Sequence, residues 1–126
     1  MSSGIVTLSL DATTKKLEAF LGGAGTPPFI VIYHTVPAQQ SADTSEYRRG
    51  ETDGALAGAA ETTILAAPAQ NSIYHVDAIY INNDTGGTIT VTVVIDNNGT
   101  NRILVEQQLL DTETLNYTAI DGFRVL

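Results

Sequence analysis

Hydrophobic and polar residues alternate along the second half of the chain, and glycine, asparagine and proline separate the alternating segments. In residues 88–95, TITVTVVI, threonines occupy most of one side of an extended chain, and aliphatic residues occupy the other side, at Ile89, Val91, Val93 and Ile95. This period of two predicts a strand with one face in a core and one face toward water. The same reasoning predicts strands at residues 61–68, 72–82, 101–110, 114–119 and 123–126.

Two short turn sequences join these segments into hairpins. Asn98-Gly99 follows the strand at residues 88–95, and Asn-Gly favours a tight hairpin because both central positions need a positive φ. Asp121-Gly122 has the same place between the last two segments. The chain is therefore predicted to be all-β: an antiparallel β-sandwich, jelly-roll-like, with an N-terminal β-hairpin or arm.

The N-terminal third contains one segment with two interpretations. Residues 11–23, DATTKKLEAFLGG, fit a helix with an apolar face at Leu17, Phe20 and Leu21, and they fit equally a strand in which Leu17, Ala19 and Leu21 alternate with polar residues. Residues 29–36, FIVIYHTV, form an unbroken β-branched and aromatic run, which predicts a strand.

Residues 37–60 differ in composition from the segments on either side. They are small, polar and acidic, with little periodicity, which predicts a linker or a long surface loop. The chain is therefore divided into N-terminal strands or arm (residues 1–36), a polar linker or loop (residues 37–60) and an antiparallel β-sandwich (residues 61–126).

Composition and charge narrow the classes of function. The 126 residues correspond to one domain, there is no cysteine to form a disulfide or a thiolate metal site, and no apolar run is long enough to span a membrane. The N-terminal residues lack the features of a signal peptide. The formal net charge of −8 disfavours nucleic-acid binding and is consistent with solubility or with docking onto a basic partner.

Candidate chemistry is sparse. His34 and His75 each follow a tyrosine in an apolar strand, and Asp77 shares a strand face with His75. These three are either metal ligands or strand residues with ordinary hydrogen bonds. No serine lies in a nucleophile-elbow sequence and no glycine-rich stretch has the lysine of a phosphate loop, so we expect no enzymatic activity and no cofactor.

Two other groups are candidate interface residues. Tyr33, Tyr74 and Tyr80 either anchor an interface or pack in the core. Arg48 and Arg49 are the only adjacent arginines, and they pair either with carboxylates of a neighbouring subunit or locally with Glu46 or Glu51.

The order of motifs resembles that of small virion proteins of tailed bacteriophages. The resemblance rests on two N-terminal strands, on an AAPA turn at residues 66–69 after a threonine-rich strand, and on a strand that ends in asparagine at residues 80–82. It continues with an LxxxExLxY-like end and a closing glycine and aromatic residue, at Leu109, Glu113, Leu115, Tyr117, Gly122 and Phe123. It covers most of the chain outside residues 37–60.

This resemblance implies a β-sandwich in the virion that assembles with itself. The expected role is that of a capsid decoration or cement protein, a homotrimer that bridges capsomers and binds the major capsid protein or another virion protein. The alternatives are a tail or neck adaptor or fibre-base module, and a carbohydrate-binding module, although the chain has no tryptophan. Neither nucleic acid nor membrane is an expected partner.

Overall fold

A computed structural model of the chain describes residues 8–37 and 48–126. Within these ranges it contains ten strands and no helix, and hence no helix long and apolar enough to cross a membrane. The strands are β1 (Leu8–Leu10), β2 (Lys15–Leu21), β3 (Pro28–Pro37), β4 (Arg48–Ala55), β5 (Thr62–Leu65), β6 (Ser72–Asn82), β7 (Ile89–Asn97), β8 (Thr100–Leu109), β9 (Thr114–Thr118) and β10 (Gly122–Val125).

The strands form two antiparallel sheets that pack against each other. The six-stranded sheet has the order β10-β9-β6-β3-β4, and β1 pairs with the free end of β6 beyond β9. The four-stranded sheet has the order β5-β2-β7-β8. The antiparallel β-sandwich predicted from the sequence is thus confirmed.

One hydrophobic core lies between the two sheets, and the inward-facing side chains of the strands fill it. β2, β3 and β7 contribute alternate residues, and β6 does so on either side of its bulge. The largest fully buried side chains include Leu10, Leu17, Leu21, Val31, Leu56, Ile64, Leu65, Ile79, Ile81, Leu109, Leu115 and Tyr117. At about 0.8 kcal/mol per buried CH2 group, these side chains supply the main stabilising contribution to the fold.

The segment with two interpretations is a strand, β2. Leu17, Ala19 and Leu21 are buried in the core, and Glu18 lies between them on the outer face. A helix would have placed Leu17, Phe20 and Leu21 on one face, whereas pairing with β5 and β7 on either side satisfies the backbone of an extended chain.

The N-terminal strands are part of the sandwich. β2 lies in the four-stranded sheet between β5 and β7, and β3 lies in the six-stranded sheet between β6 and β4. They therefore do not pair with each other as an N-terminal hairpin. Residues 1–7, where an arm would begin, lie outside the described residues.

The predicted linker contains a strand. Eight of residues 37–60 form β4, which pairs with β3 along its whole length, and residues 38–47 lie outside the described residues. β4 has few apolar side chains because its partner strand supplies them: Tyr33 lies opposite Gly50 and Phe29 lies opposite Gly54. A Cβ atom at Gly50 would overlap the Tyr33 ring, and one at Gly54 would lie 3.1 Å from the Phe29 ring.

Both hairpins predicted from the sequence form, but only the first has the predicted two-residue turn. In the second, Gly122 pairs with Thr118, so residues 119–121 form a three-residue loop. Asn98 has a φ of 55° and Gly99 a φ of 95° between β7 and β8, the two positive values that a two-residue turn of this kind requires. Gly122 has a φ of 71° at the start of β10, after the turn from β9.

Candidate functional site

A row of polar side chains crosses the outer face of the six-stranded sheet. Strand register places Arg49 opposite His34, His34 opposite His75, and His75 opposite Ser9. Residues directly opposite each other in an antiparallel ladder point to the same side, so this row joins β4, β3, β6 and β1.

A β-bulge brings Asp77 to the same row. Ile32 pairs with Ala78 and Tyr33 pairs with Val76, which leaves Asp77 as the extra residue of β6. Both carboxylate oxygens of Asp77 lie 3.0 Å from His34 Nδ1, so that nitrogen donates to the carboxylate.

His75 has a separate partner. Its Nδ1 lies 2.7 Å from the Ser9 hydroxyl oxygen, and its ring centroid lies 5.2 Å from that of His34. Burial and the neighbouring His34 lower the pKa of His75, against an opposing effect of Asp77. The structure therefore brings His34, His75 and Asp77 together, with Nδ1 of each histidine engaged in a hydrogen bond within the protein.

The three candidate tyrosines have two different environments. Tyr33 and Tyr74 stack at a ring distance of 4.7 Å and pack against the core. Tyr80 lies on the outer face of the six-stranded sheet, directly opposite Ile30, and these side chains are 38% and 41% exposed. Of the three, Tyr80 is the one presented to a partner.

Arg48 and Arg49 lie at the start of the edge strand β4, and both are exposed. Neither forms an ion pair with any residue in the ranges 8–37 and 48–126. Glu46, one of the local partners considered from the sequence, lies outside these ranges. The guanidinium groups are thus placed at the rim of the six-stranded sheet.

A second polar group lies on the outer face of the four-stranded sheet. One carboxylate oxygen from each of Glu18, Glu61 and Asp96 lies within 4.8 Å of the other two. Lys16 Nζ lies 3.3 Å from Glu18 Oε2 and 3.8 Å from Asp96 Oδ2. The amide of Asn101 donates to Glu61 Oε1 at 3.2 Å. We call the three acidic residues the carboxylate cluster.

Glu18 is the buried member of the carboxylate cluster. It is 5% exposed although it lies on an outer strand face, opposite Val94 on β7 and Thr63 on β5. Its Oε1 atom has no hydrogen-bond partner among the described residues. Burial, together with the adjacent Glu61 carboxyl, raises the pKa of Glu18, and Lys16 partly offsets this.

The sequence does not predict the carboxylate cluster. Asp96 lies beside the Asn98-Gly99 turn, where its Oδ1 accepts a hydrogen bond from the Gly99 amide at 2.7 Å, while Oδ2 points toward Lys16. A signal was present in β2, where Lys16 and Glu18 share one strand face. Glu61 lies just before β5 and gives no signal of its own, because its approach to Glu18 depends on the pairing of β5 with β2.

Comparisons of the chain with protein-family models, with curated protein sequences and with solved structures give no match.

Proposed function

We propose that this protein is a structural component of a bacteriophage virion, a decoration or cement protein that self-associates, as a trimer, on the capsid surface. The sequence resemblance to small phage virion proteins suggests the class. The observation that carries the proposal is an apolar patch on the outer face of the six-stranded sheet, formed by Ile30, Ile32 and Tyr80 and called the Ile30–Tyr80 patch below.

The Ile30–Tyr80 patch has the composition of a small interface centre. Ile30 and Tyr80 are cross-strand neighbours, and Ile32 lies two residues further along the same face of β3. An exposed tyrosine beside aliphatic side chains is typical of residues that contribute most to binding, because a rigid ring loses little entropy when it is buried.

Charged residues border the patch. Glu51 lies opposite Ile32 and Asp53 lies opposite Ile30 on the edge strand β4. On the other side, Arg124 of β10 lies beyond Asn116, which is itself opposite Tyr80. An apolar centre with a charged rim is the usual arrangement of a protein–protein interface.

Trimer symmetry sets what this patch must contact. In a cyclic trimer each contact is heterologous, so the Ile30–Tyr80 patch of one copy meets a different surface of the next. One substitution in the patch therefore disrupts all the subunit contacts at once. Binding to a repeating shell then multiplies weak contacts, and this is how a small module stabilises a capsid.

The mass of the protein in solution and its presence on particles test this proposal. We expect the purified chain to be a trimer by light scattering or native mass spectrometry, and Ile30→Lys to convert it to a monomer. Ile103→Lys is the matched control, since Ile103 is 66% exposed on a strand of the other sheet. A wild-type chain that stays monomeric at high concentration and is absent from purified virions would refute the proposal.

The effect of ionic strength distinguishes contact between copies of the chain from docking of the chain onto the capsid. Each copy carries a formal charge of −8, so raising the ionic strength screens repulsion between copies and strengthens the trimer. The same salt weakens docking onto a basic shell surface.

The copy number per particle distinguishes a decoration protein from a tail or neck component. The copy number of a decoration protein scales with the number of capsid subunits, whereas a tail or neck component is limited to a ring or two.

A further inference from the structure

We propose that Glu18, Glu61 and Asp96 form a binding site for a divalent cation, and that calcium is the ion that fits it best. The carboxylate cluster lies on the four-stranded sheet, on the face opposite to the core. The Ile30–Tyr80 patch lies on the other sheet, so the proposed site does not depend on the proposed function.

The spacing of the carboxylates matches one shared ion. Oxygens on opposite sides of a bound calcium ion are separated by about 4.6–5.2 Å, twice the calcium–oxygen bond length. The three carboxylate oxygens here lie within 4.8 Å of one another. The three oxygens are therefore close enough for small side-chain movements to bring all of them onto one ion.

Glu18 supplies an independent reason to expect a ligand. Glu18 is only 5% exposed, and one of its carboxylate oxygens lies within 4.8 Å of the Glu61 and Asp96 carboxylates. Its Oε2 atom contacts Lys16, whereas its Oε1 atom has no hydrogen-bond partner in the described part of the chain. A buried carboxylate with an unsatisfied oxygen is unfavourable. A cation bound between the three residues neutralises this buried carboxylate.

Lys16 is the counterion that the chain itself provides, and it is an incomplete one. Its ammonium group contacts Glu18 and Asp96 only, at 3.3 and 3.8 Å, and its side chain is 41% exposed. One positive charge beside three carboxylates leaves the cluster negative. Because the lysine is partly exposed, it can move into water when a divalent ion takes its place.

The chemistry of the donors selects the class of ion. All three ligands are carboxylate oxygens, which favour hard cations over zinc or copper. Magnesium requires near-ideal octahedral geometry and gives up its water reluctantly, whereas calcium accepts several protein carboxylates in less regular arrangements. Water and the second oxygen of a carboxylate can complete the shell.

Calorimetric titration and thermal unfolding of the full chain with calcium chloride test the site. We expect saturable binding with a Kd of about 10⁻⁴–10⁻³ M, the range of calcium sites in extracellular modules. At about 10 mM calcium this gives a rise in Tm of about 5–10 °C for a domain of this size. Magnesium chloride and a potassium chloride sample of equal ionic strength are the reference conditions, and both are expected to give smaller shifts.

Three variants make the test specific. Glu61→Gln removes a ligand from an exposed position and is expected to abolish the calcium-dependent shift. Glu106→Gln removes an exposed glutamate from β8 of the same sheet and is expected to leave the shift unchanged. Lys16→Gln removes the competing charge and is expected to tighten calcium binding by roughly threefold to tenfold.

The results that overturn the site are equally definite. They are a calcium response no larger than that of potassium chloride, an unchanged response in Glu61→Gln, or a calcium affinity that Lys16→Gln leaves unchanged. The last result would mean that the bound calcium does not displace Lys16 and therefore lies outside the carboxylate cluster.

Discussion

Replacement of Asn83 by alanine is expected to destabilise the protein strongly although Asn83 lies in a loop. Asn83 follows β6, is fully buried, and connects three segments of the chain. Its amide nitrogen lies 2.6, 3.1 and 3.0 Å from the carbonyl oxygens of Gly87, Leu109 and Leu110. Its carbonyl oxygen accepts hydrogen bonds from the Thr85 amide and hydroxyl, at 3.1 and 2.7 Å.

The loss of stability in Asn83→Ala depends on which of the lost hydrogen bonds water can replace. Gly87, Leu110 and Thr85 are exposed, so their polar atoms recover much of the loss from solvent. The carbonyl of Leu109 belongs to a fully buried residue and loses its side-chain donor where water cannot replace it, at a cost of about 1–3 kcal/mol. Adding about 0.5–1 kcal/mol for each of two further hydrogen bonds gives a loss of about 2–5 kcal/mol in the free energy of unfolding.

This loss is measurable without abolishing the fold. The main chain of Asn83 keeps its hydrogen bonds to Glu113 and Thr112, both at 2.8 Å, so the connection between β8 and β9 keeps its path. An unfolding entropy of about 2.1 cal/mol/K per residue converts the loss to a fall in Tm of about 8–19 °C. Urea unfolding should show a lower midpoint with an unchanged m value.

The neighbouring asparagine is the control. Asn82 is half-buried and donates to the hydroxyl of Thr114 at 2.9 Å, so Asn82→Ala should cost about 1 kcal/mol or less. Equal shifts for Asn82→Ala and Asn83→Ala would show that burial of the Asn83 amide is not what stabilises this loop.

Substitutions at Gly50, His75 and Glu18 are each expected to change the stability of the protein in a stated direction. Gly50→Ala forces the Tyr33 ring out of place and should cost about 1–3 kcal/mol by thermal unfolding, whereas Gly87→Ala, with open space around it, should have little effect. Because the pKa of His75 is lowered, the folded state binds that proton less tightly than the unfolded state, so stability falls as pH drops from about 6.5 through the lowered value. His75→Gln should flatten that part of the stability–pH curve. Because the pKa of Glu18 is raised, the opposite sign holds, and Glu18→Gln should stabilise the calcium-free protein at neutral pH by about 1 kcal/mol, measured by urea unfolding.

Periodicity and turn chemistry predicted most of the sandwich because its long strands are half-buried. In β7, Ile89, Val91 and Val93 enter the core as predicted, and the Asn98-Gly99 turn imposes the hairpin whatever surrounds it. The other face of β7 was predicted to face water, and that part of the prediction is wrong, because Thr92 and Val94 are also buried. Local information of this kind is sufficient wherever a strand carries its own apolar face.

Local information failed for β4 because the apolar cover comes from another strand. Its inward residues are Gly50, Thr52 and Gly54, and the hydroxyl of Thr52 donates to the main-chain carbonyl of Ile64, on the edge strand of the other sheet. Its outward residues, Arg49, Glu51 and Asp53, are all charged, which suits an exposed edge that must not pair with another chain. Inward and outward residues alternate in β4 as in the other strands. Because two of its inward residues are glycines, this alternation does not appear in the sequence as a pattern of apolar and polar residues.

The candidate sites were predictable only where register could be guessed. His34 and His75 lie on adjacent strands, so their approach depends on one pairing. The carboxylate cluster requires β5, β2 and β7 to be aligned together, and nothing in the sequence around Glu61 specifies that alignment. A site made by several non-consecutive strands is a property of topology rather than of any motif.

The raised pKa of Glu18 and the proposed cation site lead to one linked prediction. A proton and a divalent cation compete for the same buried carboxylate, and the charged groups that face it are Lys16, Glu61 and Asp96. Cation binding at mildly acid pH must therefore release a proton from Glu18, and the apparent calcium affinity must fall as pH is lowered through its raised pKa. Titrations at about pH 5 and pH 7.5, in buffers of different ionisation enthalpy, measure both quantities. Equal affinities at the two pH values, with no proton release, would mean that any calcium bound lies away from Glu18, because a carboxyl that holds its proton cannot also hold the ion.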